Sequence, residues 1–343
     1  MKKPTRRRFL SSTVAAAATV TIVPSYCIGK SNTRPAPSDT LYFAKVGCGG
    51  MGGGDFRSVV SAGALPAVLC DVDSKRAAGT VNHETASNLK LYSDFRKMFD
   101  EQAKNFDAVV VSTPDHMHAP VSLAAMQLGK HVYCQKPLAR TIKECYAMRD
   151  AAKKYGVITQ MGNQGHSGGG LESTIECIKS GVIGTVREVH VWTDRAQNWW
   201  PQGERVSLPK VKAEAPAHID WNAFLGVAPE MPYSSNIHPF KWRGYLDFGC
   251  GAIGDMACHN MDPAFMALDL DQPTYVKTEC SEFNKVSFPA WSIVEWGFPA
   301  KGDRPAVKVF WYDGGKKPER PADMPADMKL GGNGCLFIGD KGK

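Results

Sequence analysis

Hydrophobic residues recur in short runs through residues 40–164, and amphipathic segments separate these runs. Short apolar runs rich in Val, Ile, Leu and aromatic residues are typical of buried strands, and apolar positions recurring every three or four residues are typical of helices. The predicted strands are TLYFAKV, ALPAVLCDVD, NFDAVVVSTP, HVYCQKP and VITQMG. The predicted helices are DFRSVVSAG, SDFRKMFD, HAPVSLAAMQLGK and TIKECYAMRDAAKKYG. Buried strands that alternate with helices predict a parallel, doubly wound sheet.

Residues 165–343 follow a different pattern. A predicted helix (LESTIECIKSGVIG) leads into an alternating strand (REVHVWTD), and a long insert rich in Trp and Pro extends from Gln197 to about Phe248. A helical segment follows, and TYVKTECSEF, SIVEWGF and AVKVFWYD then alternate apolar and polar residues, as in a sheet with one open face. The sequence therefore predicts the α/β class, with a Rossmann-type parallel domain over 40–164 and an α/β domain with an open, mostly antiparallel sheet over 165–343.

Residues 1–39 are predicted to be an export signal and a linker. A basic start contains the pair Arg6-Arg7, which is followed by Phe9-Leu10 and an Ala-rich apolar run. This is the layout of a twin-arginine signal; an amphipathic helix or a membrane anchor is the alternative, but the run is short for a span. We expect export to the periplasm by the twin-arginine machinery, without a stable membrane anchor.

The net charge of +7 belongs to the first 34 residues of this leader. Residues 1–34 contain seven Lys and Arg and no acidic residue, so 34 of the 41 basic residues remain to balance the 34 acidic ones. A body near neutrality does not indicate a nucleic-acid partner.

The ten cysteines have no regular spacing. Several lie in apolar runs, where a thiol packs as a small hydrophobic group, so we do not predict a disulfide framework. Cys250, Cys258 and His259 lack both the spacing and the fourth ligand of a zinc site, and no metal is predicted.

A glycine-rich turn follows the first predicted strand and opens a helix. Such a turn brings backbone amides close to a pyrophosphate at a helix N-terminus. The predicted cofactor contacts here are Gly47, Gly49, Gly50, Met51 and Gly52. Asp71 ends the second strand, nineteen residues after Gly52, where a carboxylate can accept hydrogen bonds from the adenosine ribose. Asp71 would repel a 2′-phosphate, so NAD is favoured over NADP, although Lys75 and Arg76 weaken that preference.

Three further residues have the chemistry of a catalytic site. Lys136 ends a predicted parallel strand, at the edge where doubly wound sheets bind ligands, and can hold a substrate hydroxyl and stabilise a developing alkoxide. Asp255 and His259 are four residues apart on a predicted helix and share a face, so the carboxylate can orient the imidazole and the imidazole can take a hydroxyl proton. A solvated loop lysine and a helix-surface pair are the alternatives.

Four motifs together resemble the Gfo/Idh/MocA family, which includes glucose–fructose oxidoreductase and inositol dehydrogenase. They are the glycine turn, STPDHMH at 112–118, Gln135-Lys136-Pro137 and DMACH at 255–259. The resemblance extends from residue 40 onward and implies a Rossmann domain and a second domain that carries the substrate site and often an oligomer interface. It also implies that Lys136, Asp255 and His259 surround the sugar carbon that gives up hydride, with a carbohydrate substrate and a homo-oligomeric assembly.

Further site residues follow from their positions. The predicted cofactor contacts are Thr113, Pro114, His118 and Gln135, with Asn163 and Gln164 at the nicotinamide end; backbone or turn roles are the alternative. Trp242 and Arg243 of the insert are hypothesised substrate contacts, because an aromatic face and a guanidinium suit a sugar. A small core belonging to the insert itself is the alternative for the tryptophan.

One position departs from the family's Glu-Lys-Pro pattern, because Gln135 stands where the family has Glu. An amide can accept a hydrogen bond but cannot form an ion pair with Lys136, which leaves the protonation of that lysine open. We also expect the final segment, CLFIGDKGK, to lie inside the family's open sheet, with the family's pattern continuing beyond residue 343.

These features predict an NAD-dependent oxidoreductase that transfers hydride between a sugar hydroxyl carbon and the cofactor. Because a twin-arginine substrate folds before export and the periplasm offers little free NAD, we expect a tightly bound cofactor that is restored within each cycle. An NAD-dependent glycoside hydrolase, which oxidises the sugar transiently, eliminates the aglycone and adds water, is one alternative. A non-catalytic nucleotide-binding protein is another, and the joint presence of Lys136, Asp255 and His259 argues against it.

Overall fold

The computed structural model describes residues 40–210, 213–282 and 284–343. The predicted export signal and linker over 1–39 lie outside these residues. Residues 42–343 form one structural unit that contains two sheets. Within the described part of the chain, the helices are too short or too polar to cross a bilayer.

The first sheet confirms the predicted parallel, doubly wound architecture. Its strands are β1 (Tyr42–Val46), β2 (Leu65–Cys70), β3 (Leu91–Tyr92), β4 (Ala108–Val111), β5 (His131–Gln135) and β6 (Thr159–Gly162). All pairs are parallel, in the order β3-β2-β1-β4-β5-β6. The connecting helices are α1 (Met51–Ser61), α2 (Ser74–Val81), α3 (Phe95–Gln102), α4 (His118–Gln127) and α5 (Ile142–Tyr155). The hydrophobic pattern missed β3, because two residues are too few for a periodic signal.

The central strands of this sheet are buried on both faces, as parallel sheets require. Phe43 and Val110 pack with one set of helices, and Ala44 and Val109 pack into a separate core on the opposite face. Lys45 is the exception in β1, because a charged side chain is fully buried there.

The second sheet is mixed and mostly antiparallel, which confirms the predicted fold class. Its strands are β7 (Val186–Trp192), β8 (Tyr275–Cys280), β9 (Ser292–Phe298), β10 (Val307–Tyr312) and β11 (Gly334–Gly339). Their order is β11-β7-β10-β9-β8, and β7 and β10 are parallel while the other three pairs are antiparallel. The remaining helices are α6 (Gly169–Lys179), α7 (Arg195–Asn198), α8 (Trp221–Leu225), α9 (Gly251–Asn260) and α10 (Asp262–Leu268). The last two replace one predicted helical segment, and Pro263 lies in the first turn of α10, where a missing N–H is tolerated.

The insert between α7 and α9 has a core of its own. Phe224 of α8 packs there with Ile237, Trp242 and Phe248. The core sits against the parallel sheet domain, because His116 Nε2 lies 2.9 Å from the Phe224 carbonyl oxygen. The insert is therefore a packed element that contacts the parallel sheet domain.

Candidate active site

A cleft of about 380 Å³ runs along the carboxyl edge of the parallel sheet. Gly47, Asp71, Ser112 and Lys136 each follow the end of a strand and line this cleft. They are distant in sequence but converge because all parallel strands end at the same edge. The insert lines the opposite side, and α9 contributes Asp255 at the end nearest Lys136.

The glycine turn has the close backbone packing that a phosphate site needs. Gly47 has a φ of 83°, and a Cβ there would collide with the Ser112 carbonyl oxygen. A Cβ on Gly52 would collide with the Gly47 carbonyl oxygen in the same way. Gly47, Gly49, Gly50 and Met51 line the cleft, whereas Gly52 packs beneath the turn. The helix α1 begins at Met51, so its free amides lie beside the turn, as in an anion site.

Asp71 lines the cleft next to the glycine turn. Its Oδ2 accepts hydrogen bonds from Cys48 N at 2.6 Å and Gly49 N at 3.2 Å, and its Oδ1 accepts from Asp73 N at 2.9 Å. Burial raises the pKa of Asp71 against the lowering effect of these amides. Oδ2 already accepts two hydrogen bonds, whereas Oδ1 retains a lone pair for a ribose hydroxyl. Arg76 also lines this end, and the preference for NAD over NADP stays a prediction.

Several features of the cleft fit a dinucleotide. Thr113, Pro114, His118 and Gln135 line it, as expected of cofactor contacts. Thr113 Oγ1 and Gln135 Oε1 are buried and have no hydrogen-bond partner among the described residues. Buried polar atoms are nearly always paired, so orphans in a cleft indicate that a ligand completes them. Together with the glycine cradle, these atoms fit a bound NAD.

His118 connects two of the loops that line the cleft. Its Nδ1 lies 2.7 Å from the Pro137 carbonyl oxygen and its Nε2 lies 2.9 Å from the Thr113 carbonyl oxygen. Burial lowers the pKa of His118 to about 4. The ring is therefore neutral at pH 7 and donates to one of the two carbonyls, which gives His118 a positioning role.

Lys136 and Asp255 form an ion pair at one end of the cleft. Lys136 Nζ donates to Asp255 Oδ1 at 2.9 Å and to the Asp255 carbonyl oxygen at 3.0 Å. Their side chains are only 14% and 9% exposed. Arg243 Nε lies 3.5 Å from the same carboxylate oxygen. Lys136 and Asp255, which the family resemblance places at one site, therefore form a cluster with Arg243, which was predicted separately. The cluster lies beside the Lys136–Pro137 peptide bond, which is cis.

The two hypothesised substrate contacts of the insert both line the cleft. The Arg243 guanidinium lies 4.2 Å from the ring centroid of Trp242 and 4.4 Å from that of Phe240, within cation–π range. Trp242 also belongs to the core of the insert. The two alternatives for Trp242 are therefore compatible, because the residue belongs to this core and also lines the cleft.

His259 lies near the ion pair but outside the residues that line the cleft. Its Nδ1 is 3.0 Å from the Gln164 carbonyl oxygen, so Nδ1 carries the proton and Nε2 keeps a lone pair. Burial, and next the charge of Lys136, lower the pKa of His259. The expectation that Asp255 orients this imidazole is wrong, because the Asp255 carboxylate faces Lys136 and Arg243 and a backbone carbonyl orients the ring instead.

Asn163 and Gln164 also lie outside the lining of the cleft. Asn163 Nδ2 donates to the Cys258 carbonyl oxygen at 2.7 Å, and the residue lines a second pocket with Asp262 and Trp296. Both residues contact the C-terminal half of α9, at Cys258 and His259. Their contact with nicotinamide stays a prediction.

Two family models match the chain. Residues 41–163 match "Oxidoreductase family, NAD-binding Rossmann fold" and residues 171–302 match "Oxidoreductase family, C-terminal alpha/beta domain", both of the GFO/IDH/MocA group. The chain belongs to the Gfo/Idh/MocA oxidoreductase family. Together the two matches span most of the residues that the structure describes.

Relatives of the chain in this family carry carbohydrate names. Levoglucosan dehydrogenase of Pseudarthrobacter phenanthrenivorans is 29% identical over 69% of this chain and 48% of its own length. The 2,7-anhydro-N-acetylneuraminate hydratase of Escherichia coli K12 is 32% identical over 34% of this chain and 31% of its own length. The chain thus spans about a third to a half of these curated relatives. The WlbA dehydrogenase of Bordetella pertussis, solved with NADH and UDP-GlcNAcA, shares the fold with a TM-score of 0.60, at 16% identity over 88% of this chain and 77% of that one.

A buried polar chain beneath the cleft explains the departure from the family's Glu-Lys-Pro motif. Gln135 Nε2 donates to Asp55 Oδ1 at 2.8 Å, Ser112 Oγ donates to Asp55 Oδ2 at 2.6 Å, and Lys45 Nζ donates to Ser112 Oγ at 2.5 Å. Burial lowers the pKa of Lys45 to about 8, and the Asp55 charge opposes this shift. An amide at 135 can donate to Asp55, whereas a carboxylate would repel it.

The sequence pattern did not predict these buried hydrogen bonds, although one signal for them was present. A lysine in the otherwise apolar strand Tyr42–Val46 has to be buried and therefore needs a polar partner. Asp115, which is buried in the cleft lining, was also left without a role, although it lies inside the STPDHMH motif.

We predict that Gln135→Glu lowers the free energy of unfolding at neutral pH by about 1–3 kcal/mol, because it replaces a buried donor to Asp55 with a second carboxylate. Chemical denaturation measures the change. The loss should shrink at acidic pH, where protonation of one carboxyl restores a donor between the two groups.

The exposed Gln160→Glu serves as the matched control and should change stability by less than about 0.5 kcal/mol. Adding Asp55→Asn to Gln135→Glu should recover part of the loss, because the amide and the carboxylate then exchange places. A double variant with a lower free energy of unfolding than either single variant would contradict the role of this contact.

Proposed function

We propose that this protein is an NAD-dependent oxidoreductase that transfers hydride between a hydroxyl carbon of a sugar or sugar derivative and a tightly bound cofactor. The observation that carries the proposal is the Lys136–Asp255 ion pair, which lies in the same cleft as the glycine turn. The names of the relatives, a levoglucosan dehydrogenase and a hydratase of a sialic acid derivative, support a carbohydrate substrate.

A bound nicotinamide would accept the hydride. The residues of the chain accept the hydroxyl proton and stabilise the negative charge on the substrate oxygen. Lys136, fixed by Asp255, donates a hydrogen bond to the substrate oxygen and stabilises the negative charge that develops there. His259 is neutral at pH 7, and its Nε2 lone pair can take the hydroxyl proton while the Gln164 carbonyl holds Nδ1–H. Arg243 and Trp242 offer the sugar a donor and an apolar face.

Contacts between the insert and the parallel sheet domain support tight retention of the cofactor. His238 Nε2 lies 2.8 Å from Asp73 Oδ2, and both side chains are buried. Asp73 follows the ribose-facing Asp71 by two residues and also caps α2 through its Oδ1. Nearby, Asp220 N donates to the Val72 carbonyl oxygen at 2.8 Å. The insert thus lines the glycine-turn side of the cleft, and we expect these contacts to slow the release of a bound dinucleotide.

We predict that His238→Ala speeds the release of NAD about tenfold, because it removes a buried contact worth on the order of 1.4 kcal/mol. The measurement is the dissociation rate of NAD from the loaded protein. His190→Ala is the matched control, since His190 pairs with Glu188 at 2.7 Å on β7, outside the cleft. Equal release rates for the two variants would contradict a retaining role of the insert.

A second candidate function is redox-neutral cleavage of a glycoside. The E. coli relative supports it, because a hydratase adds water without net oxidation, in a family whose model describes oxidoreductases. In this cycle the sugar is oxidised transiently, the adjacent C–H becomes acidic, the aglycone is eliminated, and water addition and re-reduction complete the turnover. A retained cofactor serves this cycle as well as a two-substrate dehydrogenase cycle.

One experiment separates these functions. We expect denaturation of the purified protein to release NAD. The native protein is then screened with sugars and glycosides in deuterated water. The screen should show either cofactor reduction without aglycone release, or aglycone release with deuterium beside the oxidised carbon. The first outcome supports the dehydrogenase and the second the glycoside hydrolase. Bound NAD with neither reaction, unaffected by His259→Asn, would support the non-catalytic alternative.

In the same assay Lys136→Met should lower the rate of cofactor reduction in a single turnover by at least about 100-fold, because the donor to the developing alkoxide is lost. Asp255→Asn should lower the rate less, because Lys136 keeps its contact with the carbonyl oxygen of residue 255. Lys143→Met, on the exposed surface of α5, is the matched control and should leave the rate unchanged.

Export by the twin-arginine machinery is a further part of the proposal, supported by Arg6-Arg7 and the apolar run after them. We predict that replacing both arginines with lysine retains the protein in the cytoplasm, with NAD still bound. Cell fractionation measures the distribution, and Lys2→Arg is the control. Unchanged export of the double variant would contradict a twin-arginine route.

A homo-oligomer is the proposed assembly. All six residues of β8, at one edge of the second sheet, are exposed. An exposed edge strand readily pairs with another chain, which supports self-association through this sheet.

A further inference from the structure

Asp115 is a buried carboxyl group at the end of the cleft that holds Lys136 and Asp255. It lies directly after Pro114 at the end of the β4 loop, and the residue is only 3% exposed. Its Oδ2 is buried and has no hydrogen-bond partner among the described residues, although Asp115 is part of the lining of the cleft. A buried carboxylate oxygen without a partner is costly, so it carries either a proton or a ligand contact.

The surroundings of Asp115 bring its two protonation states close in free energy. Burial, and next the Asp255 charge, raise the pKa of Asp115 to about 7, while Arg243, the Cys250 thiol and Lys136 lower it. The titratable and charged groups that face Asp115 are Lys136 and Cys134 at the end of β5, Arg243 of the insert, and Cys250, Asp255 and Cys258 at α9. Burial and the charge or the hydrogen bond of Asp115 raise the pKa of Cys250, so this thiol stays protonated.

We propose that Asp115 holds the proton that leaves the substrate hydroxyl and returns it when the cofactor is reoxidised. Oxidation of a secondary alcohol breaks its C–H and O–H bonds; the hydride leaves with both electrons to the cofactor, and the proton stays in the cleft. In the reverse half of the cycle, hydride and proton return to a carbonyl compound. His259 Nε2 takes the proton from the hydroxyl and passes it across the Lys136–Asp255 pair, which both residues adjoin, to Asp115, which does not itself contact the sugar.

This inference rests on the proposed function, in which the cofactor is reoxidised within each cycle. The reoxidation step returns a hydride and a proton together, so a proton kept in the cleft is available for it. A proton released to solvent would have to be recovered in each second half-reaction. Hydride transfer removes one positive charge from the cleft, and loss of that charge favours protonation of a nearby carboxylate. Proton storage on Asp115 is therefore coupled to the redox state of the cofactor by electrostatics alone.

The test is infrared difference spectroscopy on the full-length protein loaded with NAD+ and with NADH at pH 7. The expected result is a carboxylic acid C=O band that is stronger with NADH, shifts in deuterated water, and is absent from Asp115→Asn. Asp313→Asn is the matched control, since Asp313 is another buried carboxyl whose pKa is raised by burial, but it lies outside the cleft lining. The redox-dependent band should persist in this control.

A second readout is the pH profile of single-turnover cofactor reduction. The wild type should show an inflection near pH 7 that Asp115→Asn removes, whereas loss of packing alone would lower the rate equally at every pH. Asp115→Glu, which keeps a carboxyl, should restore both the band and the inflection even if Asp115→Asn folds poorly.

The outcomes distinguish this inference from the proposed function. A protein that binds no NAD, or that binds it without reducing it, would overturn the proposed function. Bound NAD with a redox-dependent band that survives Asp115→Asn, or with no such band in the wild type, would overturn the role of Asp115 while leaving the oxidoreductase proposal intact.

Discussion

The ion pair between Lys136 and Asp255 is the contact on which the site depends, because it joins the end of the parallel strand β5 to the helix α9. Two nearly buried charges lose more in desolvation than a surface pair does, and such pairs often add little to stability. The proposed function gives the pair a reason to lie here, since a fixed ammonium group at the rim of a cleft is what a developing alkoxide requires. Arg243 of the insert, which packs against the Trp242 ring, forms a second ion pair with the Asp255 carboxylate.

Burial near the cleft moves several other titratable groups toward their neutral forms. The pKa values of His116 and His118 fall to about 4, and that of Lys45 falls to about 8, each chiefly because burial disfavours the charged form. Asp115 moves in the opposite direction for the same reason. The cleft thus places the Lys136–Asp255 ion pair beside Asp115, whose pKa lies near 7, and a group with a pKa near the working pH is suited to proton transfer.

The parts of this architecture that depend on local sequence were predictable. Both sheets, the glycine turn and Asp71 follow from hydrophobic periodicity, strand ends and short motifs, and the same signals identify Lys136 and Asp255 as site residues. The partners of Gln135 and Asp255 were not, because Asp55 is 80 residues from Gln135 and Lys136 is 119 residues from Asp255, and no local pattern encodes such contacts. For the same reason the Gln164 carbonyl, which orients His259, could not be found from the sequence.

The insert shows how an ambiguous composition can be resolved by packing. Its Trp and Pro residues gave no periodic signal, and the alternatives were a sugar-binding wall or a separate small core. The structure combines them, since one aromatic cluster around Phe224 and Trp242 forms the core while Phe240, Trp242 and Arg243 reach the cleft. Because the same element contacts Asp73 beside the glycine turn and Asp255 beside Lys136, it touches both ends of the cleft. An element that spans both ends can couple retention of the dinucleotide to the shape of the substrate site, which a lid over either end alone could not do.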